Sequence, residues 1–404
     1  MTNGTITEEK NIANNSGKTV YPRHTEKIMK GNFAAAEAAK LCRSGFIPAY
    51  PITPQTTIVE ELSAKVARGE MDAAYVNMDS EHSVFAAAMG AALAGERVFT
   101  ATSGQGLFYA HEVLHAIAHF RLPIVICNVG RPSIPWNIWS DQSDSISQRD
   151  TGWVQIYGES SQEVLDSVIQ SFIIAEELDL PVMVVLDAFY QSHTSENIWI
   201  PEQQLVDEFL PAKKSKGDEI DLESPKSIGG LVPPEHYEKF NYTYWQNINQ
   251  VEELTNKVGK DFGKHFGREY KAVESFNINK NTKLVLVTMS SITTTARGVI
   301  KNHPDVGLLK LRLFKPFPKQ SVLEALKELP DDAIIAPIER NFLGDNYGAT
   351  IQELMRAFYN ERNFKMYDFY TGLGGKDVPP LTIEKIIYKA KNNPKDVNWI
   401  DLEY

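Results

Sequence analysis

The 404-residue sequence contains only two cysteines, Cys42 and Cys127. Two thiols can neither form a disulfide scaffold nor supply the four thiolates that hold an iron–sulfur cluster. Because Leu41 and Ile126 are apolar neighbours, we interpret both cysteines as buried structural thiols. If the protein takes part in electron transfer, its iron–sulfur clusters lie on other chains.

Long apolar runs and an excess of positive charge are also missing. No run approaches the roughly 18 apolar residues that a membrane-spanning helix needs. The net charge of −11 argues against a nucleic-acid or anionic-membrane surface, because both partners favour Lys and Arg. Residues 1–29 are polar and have neither the apolar core of a signal peptide nor the Arg-rich character of a transit peptide. We therefore expect a flexible N-terminal arm on a cytoplasmic protein.

Short apolar runs alternate along the chain with segments of helical periodicity. The runs are Arg97–Ala101, Ile124–Val129, Val182–Leu186, Leu284–Thr288, Val306–Leu311 and Ala333–Ile338, and the helical segments are Phe33–Leu41, Val84–Ala94, Tyr109–Phe120 and Gln162–Glu177. Strands that are apolar on both faces and alternate with helices are typical of parallel sheets covered by helices. The length exceeds the size at which one core stops growing. We predict an α/β chain with two parallel-sheet domains.

The alternation is interrupted between about residues 201 and 281. This stretch contains four prolines, a charged run and a polar helical segment: Pro211, Pro225, Pro233, Pro234, Lys213–Glu219 and Val251–Phe266. Such a composition is typical of a linker between domains. We therefore predict an arm at 1–29, a first domain at 30–210, a linker with a surface helix at 211–281, and a second domain at 282–404.

Three polar turns of the first domain fall where a strand gives way to a helix: Tyr50–Pro54, Met78–His82 and Thr100–Gly106. Ligands of open parallel sheets bind outside the carboxyl ends of the strands. Nearby prolines fix the backbone around Thr53, and the glycines after Ser103 allow a ligand to approach the backbone. Taken singly, Thr53 fits a helix cap and Glu81 a helix-terminal charge. Their joint placement predicts one binding site.

Arg131 follows the apolar run Ile124–Val129, where its guanidinium can bind a carboxylate or phosphate with two hydrogen bonds. The alternative is a plain salt bridge with a neighbouring acid. The acidic turn Asp141–Asp144 follows. Turns of this kind sometimes hold a metal, but most are solvated loops, and we expect a solvated loop here.

One motif points to a different chemistry. His111-Glu112-Val113-Leu114-His115 fits H-E-x-x-H, the zinc-binding helix of metalloproteases, and His119 continues the same helical face. The motif lies on a predicted crossover helix between two buried parallel strands, and His119 does not have the spacing of a third zinc ligand. We therefore keep an HExxH zinc peptidase only as a minor alternative.

From about Lys30 to the C-terminus the sequence resembles the 2-oxoacid:ferredoxin oxidoreductases, and among them the alpha subunit of the pyruvate:ferredoxin oxidoreductase (pyruvate synthase) family. The matching segments are Tyr50–Thr56, Ser80–Ser83, Thr100–Leu107, Asn137–Trp139, Asp141–Gln142, Asp144–Ile146, Gln148–Trp153, Phe314–Pro318 and Gly372–Gly375. The resemblance implies a pyrimidine-binding domain of a thiamine pyrophosphate enzyme, followed by a transketolase C-terminal-like domain. It also implies a cytoplasmic complex with beta, gamma and delta subunits, and ferredoxin as electron acceptor.

The resemblance implies roles for six residues. The glutamate at Glu81 hydrogen-bonds the aminopyrimidine ring and favours its reactive tautomer, while Ser103, Gly104 and Gln105 are expected to contact the cofactor. Thr53 and Arg131 are expected to hold the 2-oxoacid, which makes Glu81, Thr53 and Arg131 the candidate catalytic residues. The implied reaction converts pyruvate and coenzyme A to acetyl-CoA and CO₂, with the electrons passing to [4Fe-4S] clusters on other subunits.

The sequence departs from the family at Gly104, where a serine is common, and at Pro132 and Ser133, where relatives usually have Ala-Leu. Thr53 stands where oxalate enzymes carry arginine, which favours pyruvate, yet 2-oxoisovalerate, oxalate or 2-oxoglutarate remain alternatives. The motif that binds Mg²⁺ and pyrophosphate is missing, and Gly344-Asp345-Asn346 is too short a match. We therefore expect half a cofactor site and no metal ligands in this chain. A catalytically silent scaffold is a further alternative, against which the intact site residues argue.

Overall fold

The computed structural model describes residues 12–13, 19–21, 23–213, 219–225 and 227–402. Most of the arm predicted at 1–29, and most of the charged run Lys213–Glu219, therefore lie outside the described residues.

The described part of the chain forms strands and helices in alternation. The strands are β1 (Ile12–Ala13), β2 (Thr19–Val20), β3 (His24–Lys30), β4 (Phe46–Ala49), β5 (Ala74–Asn77), β6 (Val98–Thr102), β7 (Ile124–Gly130), β8 (Val154–Tyr157), β9 (Val182–Asp187), β10 (Ser195–Pro201), β11 (Val273–Phe276), β12 (Leu284–Thr288), β13 (Val306–Leu311), β14 (Leu313–Lys315), β15 (Ile334–Glu339), β16 (Lys365–Met366), β17 (Asp368–Tyr370) and β18 (Val397–Trp399). The helices are α1 (Gly31–Leu41), α2 (Thr56–Ala67), α3 (Glu81–Leu93), α4 (Gly104–Tyr109), α5 (His111–His119), α6 (Ser143–Ile146), α7 (Ser161–Leu178), α8 (Gln203–Phe209), α9 (Pro234–Ile248), α10 (Val251–Phe266), α11 (Ile292–Ile300), α12 (Lys319–Ala325), α13 (Ala349–Phe358) and α14 (Pro380–Asn392), with a 3-10 turn at Leu373–Gly375.

The first sheet has seven strands in the order β14-β8-β9-β7-β6-β4-β5, and every neighbouring pair except β14–β8 is parallel. All residues of β6, β7 and β9 are buried, because helices cover both faces of the sheet. One face packs against α1, α7 and α10, and the other against α3 and α5. Antiparallel β3 and β10 form a separate ribbon. The predicted α/β class is confirmed.

The second sheet also has seven strands. Its order is β11-β13-β12-β15-β17-β18, with β16 added to β15, and only β11 runs antiparallel to its neighbour. Strands β12 and β13 have the bounds that the apolar runs predict. Strand β11 lies inside the segment predicted as a linker, so the second sheet takes in residues before 282.

One of the apolar clusters contains residues of both sheets. We call the first sheet with its helices the first unit, and the second sheet with its helices the second unit. Strand β14 follows β13 of the second unit but pairs with β8 at the edge of the first sheet, which buries Phe314 against Tyr157. A buried ion pair joins the units as well, with Arg340 Nη1 lying 3.0 Å from Asp187 Oδ2. The alternation of strands and helices did not predict this exchange, since it carries no information about distant pairing partners.

The predicted surface helix is α10, and it is amphipathic. Val251, Leu254, Val258, Phe262 and Phe266 are buried on the core of the first unit, whereas α9 before it buries no residue. Cys42 and Cys127 are buried and free, as predicted, and burial raises the pKa of both thiols. None of the helices in the described ranges is long and apolar enough to cross a membrane.

Candidate functional site

The polar turns of the first unit lie together at the carboxyl ends of the strands of its sheet. The strands β7, β6, β4 and β5 are neighbours in that order. Their carboxyl ends lead to Arg131, to the loop Ser103–Gln105, to Thr53 and to Glu81 respectively. Neighbouring parallel strands end on the same side of a sheet, so all six candidate residues lie on that side.

Arg131 is at the centre of this group. Its side chain is only 4% exposed, and its Nη1 donates to the carbonyl oxygen of Thr53 while Nη2 donates to Gln105 Oε1 at 2.5 Å. Nε is buried without a hydrogen-bond partner, and no described acid forms an ion pair with this guanidinium. Burial lowers the pKa of Arg131, although the charges of Asp144 and Glu81 oppose that effect. An arginine nevertheless stays protonated, so the site contains a buried cation bonded only to neutral acceptors.

Gly104 allows Arg131 to lie where it does. The glycine has a φ of +49°, and a Cβ built on it would overlap Arg131 Nε and lie 2.8 Å from its Cγ. The arginine stem thus occupies the space that a side chain at position 104 would need. This contact gives a physical reason for glycine at position 104 of this chain.

Glu81 is the first residue of α3, and the Ser80 hydroxyl caps that helix by accepting from the Ser83 amide at 3.2 Å. A Cβ at Gly106 would lie 2.7 Å from both Glu81 Oε1 and Thr102 Oγ1, so the carboxylate packs against a glycine surface. Glu81 makes no hydrogen bond or ion pair with the residues that the structure describes, and the buried Thr102 hydroxyl is also unpartnered there. This acceptor is open to a ligand that donates a hydrogen bond.

The other predicted residues mainly contact the protein. The Ser103 hydroxyl donates to the Val129 carbonyl at 2.6 Å, and Gln105 Nε2 donates to the Ser133 carbonyl at 2.5 Å while its oxygen accepts from Arg131. Ser103 therefore ties the loop to β7, and Gln105 orients the arginine. Thr53 uses its carbonyl for Arg131, and its exposed side chain leaves the hydroxyl accessible.

The Thr53 turn is held by two buried amide side chains. Gln55 accepts from the Ile52 amide at 3.2 Å and donates to the Ala101 carbonyl at 2.8 Å, which links the turn to β6. Asn32 donates to the Pro54 carbonyl at 2.8 Å. The turn is therefore fixed from both sides, and its carbonyl is held towards Arg131.

The acidic turn is buried, so the expectation of a solvated loop is wrong. Asp141 and Asp144 are 2% and 0% exposed. Asp144 Oδ2 accepts from the backbone amides of Gly104 at 2.8 Å and Arg131 at 3.1 Å, and its Oδ1 accepts from Ser145 at 2.6 Å. Burial raises the pKa of Asp144 to about 6. Sequence reasoning missed this residue because the loops it joins are far apart in the chain.

The histidines of the HExxH helix contact other groups of the protein. His111 Nδ1 is hydrogen-bonded to Gln148 Oε1 at 2.5 Å, and the ring of His119 stacks on Tyr244 with 5.1 Å between centroids. Burial and the two neighbouring histidines lower the pKa of His115. Across the described ranges, no group of three or more His, Cys, Asp or Glu side chains is placed to hold a metal ion.

The site fits one end of a thiamine cofactor. An open carboxylate lies against a glycine surface, beside an orphaned hydroxyl, and provides an acceptor for a ring that carries a proton. Asp345, in the short Gly344–Asn346 match, accepts from Asn346 and Gln352 and belongs to the second unit.

Residues 37–260 match the family described as pyruvate flavodoxin/ferredoxin oxidoreductase, thiamine diphosphate (thiamine pyrophosphate)-binding, and residues 282–383 match pyruvate:ferredoxin oxidoreductase core domain II. Pyruvate synthase subunit PorA of Methanothermobacter thermautotrophicus is 41% identical over 384 residues, which cover 93% of this chain and 98% of that protein. Ketoisovalerate oxidoreductase subunit VorA of Pyrococcus horikoshii is 39% identical and covers 94% and 98%. A 2-oxoglutarate:ferredoxin oxidoreductase structure from Magnetococcus marinus, with 2-oxoglutarate, coenzyme A and succinyl-CoA bound, shares the fold at a TM-score of 0.70 and 19% identity, covering 91% of this chain and 65% of that one.

Proposed function

The chain belongs to the pyruvate:ferredoxin oxidoreductase family, and we propose that it is the alpha subunit of a cytoplasmic pyruvate synthase. The proposed reaction is the oxidative decarboxylation of pyruvate with coenzyme A to acetyl-CoA and CO₂, with electrons delivered to ferredoxin. Pyruvate is the leading substrate because a pyruvate synthase subunit is among the most similar relatives. A ketoisovalerate oxidoreductase subunit is almost equally similar, which makes 2-oxoisovalerate the second candidate.

The observation that carries the proposal is the buried guanidinium of Arg131. A charge removed from water is costly unless an opposite charge compensates it. Its hydrogen bonds to the Thr53 carbonyl and Gln105 supply no negative charge, and the charges of Asp144 and Glu81 offset only part of the effect of burial. A planar carboxylate that accepts two parallel N–H bonds would provide that charge, and a 2-oxoacid carries such a group. The exposed Thr53 hydroxyl is then a donor for the same substrate.

Glu81 is the residue proposed to hold the cofactor's aminopyrimidine ring. Thiamine pyrophosphate, when bound, supplies the electron sink that decarboxylation of a 2-oxoacid requires. The Glu81 carboxylate accepts a hydrogen bond from a ring nitrogen and favours the ring form that keeps a proton there. Ser103, Gly104 and Gln105 are proposed to line the same site. Their contacts with β7, Asp144 and Arg131 keep it in shape.

The remaining groups belong to partner chains in this proposal. A beta subunit would bind Mg²⁺ and the pyrophosphate, because this sequence lacks the motif for them. Gamma and delta subunits complete the proposed complex, and [4Fe-4S] clusters on those other subunits would pass electrons to ferredoxin. Coenzyme A enters as the acyl acceptor.

The test compares the native complex with the purified single chain. We expect the complex to reduce a dye acceptor with pyruvate and coenzyme A, and the single chain to show no turnover and weak binding of thiamine pyrophosphate. Arg131→Lys in the reconstituted complex should raise the KM for pyruvate roughly 10- to 150-fold, since lysine cannot form two parallel bonds. Turnover by the single chain would overturn the shared site. Preference for 2-oxoisovalerate over pyruvate would select the second candidate.

A further inference from the structure

Asp144 uses both carboxylate oxygens on backbone amides. Its Oδ2 accepts from Gly104, at the start of α4, and from Arg131, just after β7. Its Oδ1 accepts from Ser145 on its own turn. One fully buried carboxylate therefore bonds the backbone of two loops of the site that lie 27 residues apart in sequence. The hydrogen bonds from Ser103 to Val129 and from Arg131 to Gln105 join the same two loops without fixing the amides of Gly104 and Arg131.

The carboxylate does not pair with the arginine side chain. A buried aspartate beside an arginine gains most from a charge-assisted pair with the guanidinium. Here the carboxylate accepts from the arginine's backbone amide, and the guanidinium points to Thr53 and Gln105 instead. The negative charge remains close enough to offset part of the cost of burying the cation. The Arg131 guanidinium is therefore still able to bind the carboxylate of a ligand.

We propose that Asp144 is a positioning residue of this site, whose carboxylate fixes the backbone at Gly104 and Arg131 so that the guanidinium is held free for the substrate carboxylate. The inference rests on the proposed role of Arg131 in binding the 2-oxoacid. Gly104 contributes to the same arrangement, because the arginine stem packs over it. Asp144 touches neither substrate nor cofactor in this proposal and acts through Arg131.

The test is Asp144→Asn in the reconstituted complex. The substitution keeps the shape but replaces one acceptor by an NH₂ group, so at least one backbone amide loses its partner. We expect the KM for pyruvate to rise roughly 10- to 100-fold, with kcat within about threefold of wild type. The dissociation constant of thiamine pyrophosphate should change less than about twofold. The Arg131→Lys/Asp144→Asn double variant should be no worse than Arg131→Lys alone, because residues acting through one group are not additive.

Asp141→Asn is the matched control. Asp141 lies in the same turn and is also buried, but its carboxylate accepts from Ser143 and from the Gly374 amide at 3.0 Å, and not from Gly104 or Arg131. Its KM for pyruvate should stay within about threefold of wild type.

Each outcome is decisive. If Arg131→Lys leaves the KM unchanged, the proposed role of Arg131 fails; if it raises the KM and Asp144→Asn does not, the positioning role fails. A KM increase shared equally by Asp141→Asn, or additive effects in the double variant, would also overturn the inference. Should Asp144→Asn fail to assemble, Asp144→Ser must raise the KM in the same direction. Failure of both variants to assemble would make Asp144 a folding residue and refute the inference.

Discussion

Gly104→Ala tests whether the arginine stem determines substrate binding. Position 104 has a φ of +49°, and the added methyl group would overlap Arg131 Nε and lie 2.8 Å from Cγ and 3.0 Å from Cδ. The atoms in the way belong to the middle of a buried side chain, not to its flexible end. We therefore expect Arg131 to change rotamer and to give up its bonds to the Thr53 carbonyl and Gln105.

Two separate costs contribute to the expected effect. An alanine in the left-handed region costs about 1–2 kcal/mol of folding free energy. Losing the position of a charged donor costs about 1.5–3 kcal/mol in substrate binding, which corresponds to a KM for pyruvate raised roughly 10- to 150-fold. The first cost appears as a lower melting temperature and the second in steady-state kinetics.

Gly69→Ala is the matched control for backbone strain. Gly69 follows α2 with a φ of +72°, and a Cβ there would meet nothing within 4 Å. We expect a similar loss of stability but an unchanged KM. The measurements are thermal unfolding of each variant and a pyruvate titration of each reconstituted complex. If the two glycine variants have the same KM, the contact between Gly104 and Arg131 does not govern substrate binding, and the reasoning is refuted.

Three further predictions concern carboxylates. Glu81→Gln should lower kcat at least about 100-fold and leave the free energy of unfolding unchanged, because the amide lacks the charge that favours a protonated aminopyrimidine ring. A near-normal kcat would show that Glu81 is only a charge at the end of a helix. Asp187→Asn leaves Arg340 buried without its ion-pair partner and should cost about 3–5 kcal/mol in denaturant-induced unfolding. A loss below about 1 kcal/mol would contradict the importance of this pair between the units. Burial and Glu339 raise the pKa of Asp368 to about 8, so the folded chain keeps a proton that the unfolded chain releases near its ordinary value of 3.8. Stability should therefore fall as pH rises between these values, and Asp368→Asn should flatten the fall in unfolding free energy measured across that range.

Much of the fold follows from local pattern. Strands β12 and β13 have the bounds of their apolar runs because both faces of a central parallel strand are buried. The bounds of the edge strand β5 were not predicted, although a strand before the Met78–His82 turn was, since three of its four residues are exposed and it has no continuous apolar run. The short strand β14 escaped for a different reason. Its partner β8 lies 157 residues earlier, counted from Leu313 to Ile156, and three residues carry no pattern that identifies such a partner.

The sequence predicts those residues of the site that directly follow the ends of strands. Thr53, Glu81 and Arg131 follow the parallel strands β4, β5 and β7 of one sheet, and the topology alone brings them to the same side. The buried state of Asp144 was not predictable, because a run of short polar residues has the composition of a solvated turn. Burial became possible only when three backbone amides, two of them from distant loops, supplied its hydrogen bonds.

Under the proposed function, the position of the site also accounts for its division between chains. Glu81 follows β5, the last strand of the sheet, and this edge is uncovered, with Val76 38% exposed. Arg131, by contrast, follows β7, which is buried between neighbours on both sides. The interior of the sheet can therefore hold the cation rigidly while the edge stays open to a second chain. In a site shared by two chains, the charged residue that binds the substrate is best placed in the buried part. The low dielectric constant there strengthens the attraction between the Arg131 guanidinium and a carboxylate. A site divided between two chains therefore requires both features of this sheet, the buried Arg131 and the exposed strand β5.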